Sequence, residues 1–219
     1  TIRNLKIESN MTDYIVLFGR IESSAEVKDL TLENVSMTGR HNSVVVASSN
    51  LGTISNCHVT GTIAGGYAVG GISGFLDGGT IRHCSTDISF YAARLKTKVI
   101  NGNIGGILGS TQFGTVSDTS SIITITTNEM IRQTGGIVGM NRAATIEHCW
   151  SKPTFHCDKS KRIGGICGDN WGSIRNCLSM ETDLKTSGTY VGGLVGTNSS
   201  LISQSIAEGT VQGHKQCGG

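Results

Sequence analysis

A six-residue glycine motif returns five times along this chain, and a chain that repeats itself has few folds open to it. Val191-Gly192-Gly193-Leu194-Val195-Gly196 matches Val69-Gly70-Gly71-Ile72-Ser73-Gly74, and the runs 104–109, 134–139 and 163–168 follow the same pattern. Six or seven residues after the last glycine comes a second signature, clearest in Ile174-Arg175-Asn176-Cys177 and Ile54-Ser55-Asn56-Cys57. Related copies begin at Ile2, Val27, Ile81, Val116, Ile146 and Ile202. The eight copies are spaced 25, 27, 27, 35, 30, 28 and 28 residues apart, a period of 28 to 29 residues.

Each unit mixes short Ile, Val and Thr runs with Gly and Asn clusters, which suits strands and tight turns. No window carries an apolar stripe at helical spacing, so helical arrays are excluded. The unit is also too short for a propeller blade, which needs ~40 residues or more. A coil of a parallel β-helix fits: two or three short strands per turn, stacked ~4.8 Å apart. The expectation is an all-β chain forming one right-handed parallel β-helix of seven to eight coils over 1–219, with handedness taken from the parallel crossover rule. Eight stacked signatures make a rod roughly 35–40 Å long. Coils 1–50 are degenerate and coils 51–212 regular.

In Ile-x-Asn-Cys the first and fourth residues are both apolar, yet a straight strand would point them to opposite sides. Both face inward only if the chain bends between them, and Asn tolerates the left-handed backbone such a bend needs. The bend position reads Asn4, Asp29, Asn56, His83, Asp118, His148, Asn176 and Gln204. That predicts a polar ladder along the rod. The next position reads Leu5, Leu30, Cys57, Cys84, Thr119, Cys149, Cys177 and Ser205, an interior column of small or apolar side chains. A turn is expected after each Gly-x-Asn, as in Gly139-Met140-Asn141 and Gly196-Thr197-Asn198.

The residues 191–198 resemble the start of the GLUG repeat. The run Ile163-Gly164-Gly165-Ile166-Cys167-Gly168-Asp169-Asn170-Trp171-Gly172-Ser173-Ile174-Arg175-Asn176-Cys177 is similar to its fuller pattern. The resemblance is strong over 69–210 and weak before Asn50, where the glycine pairs are lost. It implies a module of a large bacterial surface or adhesin-like protein, or of the non-catalytic region of an immunoglobulin A1-cleaving metallopeptidase. It implies an extracellular or cell-surface location and brings no catalytic residues with it.

Candidate sites follow from repeat phase. The seven cysteines form no Cys-x-x-Cys pair, which speaks against zinc-ribbon or thioredoxin chemistry. Four of them lie in the interior column and read as buried thiols, with Cys57–Cys84 and Cys149–Cys177 as alternative cross-coil disulfides. His83, Asp118 and His148 share one phase and form a weak candidate metal column, against the plainer reading that they substitute for Asn in the ladder. No cofactor is expected. Asp77 and Asp169 both fall after the glycine motif, in the expected turn but three coils apart, and no two adjacent coils carry carboxylates at one phase. A carbohydrate-active β-helix enzyme, a polysaccharide lyase or glycoside hydrolase, is therefore the alternative to a non-catalytic module.

Binding candidates are basic and aromatic. Arg94, Lys96 and Lys98 alternate in the longest coil, while Arg132, Lys159, Lys161 and Arg162 precede later glycine motifs. Together they make a candidate stripe for an anionic glycan. Trp150 follows an inward cysteine and faces outward, and Trp171 sits in a turn; both offer rings for sugar stacking. Thr124 and Thr126 alternate in one coil only, too little for an ice-binding face.

A net charge of +2 argues against a nucleic-acid partner. No apolar run approaches the ~18 residues of a membrane span, so direct membrane insertion is not expected. The expected partners are a glycan or a surface protein on a host or neighbouring cell. The chain begins and ends inside a repeat without a polar cap, so a piece of a longer array is expected.

Overall fold

The computed structural model describes residues 1–9, 14–39, 42–92 and 99–218. It is a β-solenoid of about 7 turns with ~29 residues per turn, built from parallel strands. Among the described residues three large sheets carry the coils, and a two-stranded pair, Tyr14–Ile15 with Asn42–Ser43, precedes the second of them. The first is made of long strands, from Thr31–Thr38 through His58–Gly65, Ser120–Thr127 and Trp150–Cys157 to Ile206–Gln212. The second is made of short strands such as Met130–Gly135 and Arg162–Gly164. The third holds Ser73–Arg82, Leu108–Ser117, Val138–Asn141 and Cys167–Asn170, continued by short strands such as Ser173–Arg175.

The expected bend is present at all eight positions. Asn4, Asp29, Asn56, His83, Asp118, His148, Asn176 and Gln204 have φ between 50 and 56°. The residue before the corner and the residue after it can then both serve the interior. Ile54, Ile81, Val116, Ile146 and Ile174 are fully buried, as are Cys57, Cys84, Thr119, Cys149 and Cys177 on the far side of the corner. A third interior column runs Met37, Ile63, Phe90, Ile125, Phe155, Leu184 in strict register along the first sheet.

The glycine motif closes an arc in which the second sheet folds back onto the third. Its glycines are dictated by contact. A methyl on Gly168 would lie 2.6 Å from the Gly139 carbonyl oxygen and the Thr134 amide nitrogen. A methyl on Gly71 would lie 2.6 Å from the Gly106 oxygen and 2.7 Å from Thr86 Cγ2. No real Cβ packs that closely, so the arc requires glycine. Its tip meets small side chains of the first sheet: Ser151 Oγ donates to the Gly165 carbonyl at 2.5 Å, and Thr86 Oγ1 to the Gly106 carbonyl at 3.1 Å.

Beyond the arc, the Gly-x-Asn asparagines form a ladder in which Asn141 and Asn170 are fully buried and Asn198 is exposed. Asn141 Nδ2 donates to Asn170 Oδ1 at 2.9 Å, and Asn170 Nδ2 to Asn198 Oδ1 at 2.7 Å. Asn141 also accepts from the Ala144 amide and donates to the Ala144 carbonyl, which holds the turn that follows. The same column reads Ile21, Asn50, Leu76 and Thr111 in earlier coils.

Candidate functional site

The interior consists of stacking devices, so binding chemistry has to lie on the outer columns. The corner residues form the expected polar ladder in segments. Asn56 Nδ2 donates to Asp29 Oδ1 at 2.5 Å, and Asn176 Nδ2 lies 3.2 Å from His148 Nε2. His148 Nδ1 lies 4.0 Å from Asp118 Oδ1. Of the candidate metal column, His148 and Asp118 thus meet each other, and His148 is also engaged by Asn176. Among the described residues no group of three or more His, Cys, Asp or Glu is placed to hold a metal ion.

The basic candidates divide. Arg94, Lys96 and Lys98 lie outside the described residues. Arg132 and Lys161 are both exposed, and because Gln133 pairs with Arg162 they sit side by side on adjacent coils. Lys159 is exposed in the preceding turn. Arg162 opens the strand Arg162–Gly164; it is half-buried, and its Nη1 lies 3.6 Å from Asp169 Oδ2. Lys161, in the bend before the strand, is exposed, so only Arg162 of the two is committed to a buried carboxylate.

Asp169 is a buried carboxylate, 5% exposed. Its Oδ1 accepts from Thr197 Oγ1 at 2.5 Å and from Trp171 Nε1 at 3.2 Å. It lies in the strand Cys167–Asn170, in register with Met140 and Thr197, whereas Asp77 lies in the strand Ser73–Arg82 beside Phe113. The expectation that both sit in the turn after the glycine motif is corrected. The strand runs on past the glycine, and the turn comes after the asparagine. The two acids occupy different columns.

The tryptophans are on the outside. Trp150 is 37% exposed on the first sheet, in register with Ser120 and Leu178. Trp171 is 58% exposed at the turn after the asparagine ladder. It closes one side of a 480 Å³ pocket lined by Gln112, Met140, Arg142 and Ala143. Sequence reading missed this pocket. Its only signal was that Gln112, Arg142 and Trp171 each follow the ladder position by one residue, which no single coil reveals.

Hydroxyls were also underread. Ser36, Thr62, Ser89, Thr124 and Thr154 are in register along the first sheet, a column over five coils. The unequal coil lengths hide it in the sequence.

The seven cysteines are free thiols. Each of the four at the corner hydrogen-bonds the carbonyl two residues back, Cys57 Sγ to Ser55 at 3.3 Å and Cys149 Sγ to Glu147 at 3.1 Å. They also bond across coils. The Cys84 thiol supports a charge on Cys57, which lowers the Cys57 pKa to about 7, and Cys84 is raised in turn. Cys149 and Cys177 repeat the arrangement, with Cys177 lowered and Cys149 raised. Burial pushes Cys157 and Cys167 up to about 12. Only Cys217 is exposed.

No protein-family profile matches the chain. It is 28% identical over 181 residues to the immunoglobulin A1 protease of Streptococcus pneumoniae, a match covering 74% of this chain and 9% of that protein. The Streptococcus sanguinis immunoglobulin A1 protease is 29% identical over 160 residues. The chain is similar to a segment of immunoglobulin A1 proteases. It is also 38% identical over 74 residues to halomucin of Haloquadratum walsbyi, covering 34% of the chain and 1% of that protein. A crystal structure of a candidate immunoglobulin A1 protease from Bacteroides ovatus superimposes with a TM-score of 0.64 at 20% identity, over all of this chain and 66% of that one. That likeness is one of fold. The chain spans less than a tenth of the curated relatives' length.

Proposed function

We propose that this chain is a non-catalytic β-solenoid module of a bacterial cell-surface or secreted protein, of the GLUG-repeat kind, serving as adhesin or stalk. It presents a rigid lateral face to a glycan or to a surface protein of a host or neighbouring cell. The observation that carries the reading is the repetition of one stacking device. The same left-handed corner recurs eight times and the same closed glycine arc five times. Such a rod holds outer side chains at fixed spacing.

Several carboxylates are tied into the scaffold. Asp169 is bound by Arg162, Thr197 and Trp171, Glu33 by Arg3, and Asp183 by His156 and Lys185. Hydrolysis by paired carboxylates needs one acid free to protonate a leaving group and one free to attack or activate water. The small share of each relative that the chain matches fits a module within a longer protein.

The test has two arms. Purified chain is incubated with immunoglobulin A1 and with acidic and neutral polysaccharides, and products are followed by electrophoresis and reducing-end release. No cleavage is expected; turnover above a heat-denatured control would overturn the non-catalytic reading. Intact source cells are treated with external protease and probed with antibody to the chain. Loss of signal is expected, and protection inside the cell would overturn the surface assignment.

A further inference from the structure

We propose that the pocket framed by Gln112, Met140, Arg142 and Trp171 is a carbohydrate subsite that takes a carboxylated pyranose. The proposal rests on the lateral-face reading above and names the ligand class for that face.

The Trp171 ring is 58% exposed, yet its N–H is already bound to Asp169, a carboxylate that is itself 5% exposed. Thr197 donates to the same carboxylate oxygen, and Arg162 lies against the other. An exposed indole is thereby locked in orientation from beneath. Its polar edge is spent inside the protein, so what remains for a ligand is the flat π-face. A pre-oriented ring loses little freedom on binding, which favours a stacking role.

Met140 and Ala143 extend the apolar floor. Asn103 Nδ2 lies 3.8 Å from Met140 Sδ and steadies it from the neighbouring sheet. The 480 Å³ pocket falls within the ~300–1,000 Å³ usual for small-molecule sites. The wall is almost wholly apolar, and Arg142, with Gln112 beside it, stands at the rim. Like Arg82, Arg132 and Arg175, Arg142 makes no ion pair among the described residues, but it alone of these lines the pocket. A flat apolar surface beside an uncommitted guanidinium and an amide complements a ring with one C–H face, a hydroxyl edge and a carboxylate. A purely apolar ligand would leave Arg142 and Gln112 unused, and a bare anion would leave Trp171 and Met140 unused.

Gln112, Arg142 and Trp171 occupy one column on three consecutive coils: Arg142 N donates to the Thr111 carbonyl and Trp171 N to the Asn141 carbonyl. The pocket therefore runs along the rod axis, where coils repeat every ~4.8 Å, and a linear polymer of such sugars can continue past it.

The test is calorimetric titration of the whole chain with oligogalacturonate and hyaluronan hexamers, with cellohexaose and maltohexaose as neutral probes. Tryptophan fluorescence is followed in parallel. At least one acidic oligomer is expected to bind and to perturb the emission, with neutral oligomers at least tenfold weaker. Trp171→Ala and Arg142→Gln should each weaken acidic binding tenfold or more, and Tyr67→Ala, an exposed ring elsewhere on the rod, should leave it unchanged. Circular dichroism and thermal melting confirm that each variant folds. Equal binding of neutral oligomers overturns the acidic specificity. Binding that survives Trp171→Ala overturns the site and points to the Arg132–Lys161 pair. Silence of the wild-type chain toward all four oligomers overturns the subsite, while the surface-module reading stands or falls on the cleavage and cell-protection assays.

Discussion

The first two coils and the later ones solve the same closure differently. In the later coils the arc tip is glycine and faces a small side chain of the first sheet: Gly71 meets Thr86, Gly106 meets Ser121, Gly136 meets Ser151 and Gly165 meets Ser179. Followed back in register, that column of Thr and Ser becomes Val59 and Leu32. The arc changes with it. Val44 pairs with Gly70, so Val44, Val45 and Val46, all fully buried, stand where later coils have Gly70, Gly71 and Ile72. Valine tips go with an apolar column and glycine tips with a hydroxyl column. One region closes by filling space with methyl groups, the other by bringing backbone onto backbone and paying with hydrogen bonds from Ser and Thr. The weakening of the repeat before Asn50 is thus an exchange of packing modes within one fold.

The comparison breaks first at the arc. Gly136→Val puts a side chain 2.6 Å from Ser151 Cβ, against a neighbouring backbone that cannot move alone. It is expected to cost ~3 kcal/mol or more, seen as a lowered chemical-denaturation midpoint. Val45→Ala in the other region deletes two buried methyls and should cost ~2 kcal/mol. If Gly136→Val is the milder of the two, the two closures are not distinct.

The inward asparagine column sharpens the contrast next. Asn170→Leu imitates what Leu76 does in an earlier coil, but here it removes the acceptor of the buried Asn141 amide and the donor to the Gly172 carbonyl and the Asn198 oxygen. A loss of ~2 kcal/mol is expected by denaturant titration, although the new residue is apolar. A neutral result would mean that the ladder adds nothing to packing.

The corner is shared by both regions and should respond alike in both. Asn176→Ala must hold φ near 50° without the help of an amide, at ~1–2 kcal/mol, whereas Asn176→Gly should recover most of that by restoring conformational freedom. In the early region Asp29, with φ 54°, is expected to give the same ordering, and a difference between the two sites would show that the corner is not a common device.

The smallest effect is alkaline. Burial holds Cys157 and Cys167 protonated to about 12, while the same thiols in the unfolded chain ionise near 9.0. A group whose pKa rises on folding stabilises fully below its unfolded value, and that stabilisation fades as pH climbs from 9 toward 12. Tm should therefore begin to fall between pH 8 and 9, and less steeply in Cys167→Ala than in the parent. An unchanged slope would remove these thiols from the account.

The corner was legible because it breaks strand alternation. Two apolar residues three apart, with Asn, Asp, His or Gln between them, admit few other backbones, and all eight positions adopt the one foreseen. The parallel stacking followed from the period, since only an in-register neighbour gives every coil the same partner. The inward fate of Asn141 and Asn170 was not legible. Asparagine suits a solvent-facing turn equally well, and only the coil above supplies the amide that makes its burial tolerable.

The repeat, the bend and the strand-rich coil can be read from the residues alone, because these depend on contacts within a unit or between identical units. Which outer residues meet is fixed only when the coils stack. Lys161 and Arg162 adjoin in the chain, yet one is exposed and the other is drawn to a buried carboxylate, while Gln112, Arg142 and Trp171 are separated by whole coils and share one pocket. Coil lengths of 25 to 35 residues blur phase in the sequence, and the hydrogen-bond register between coils restores it in space.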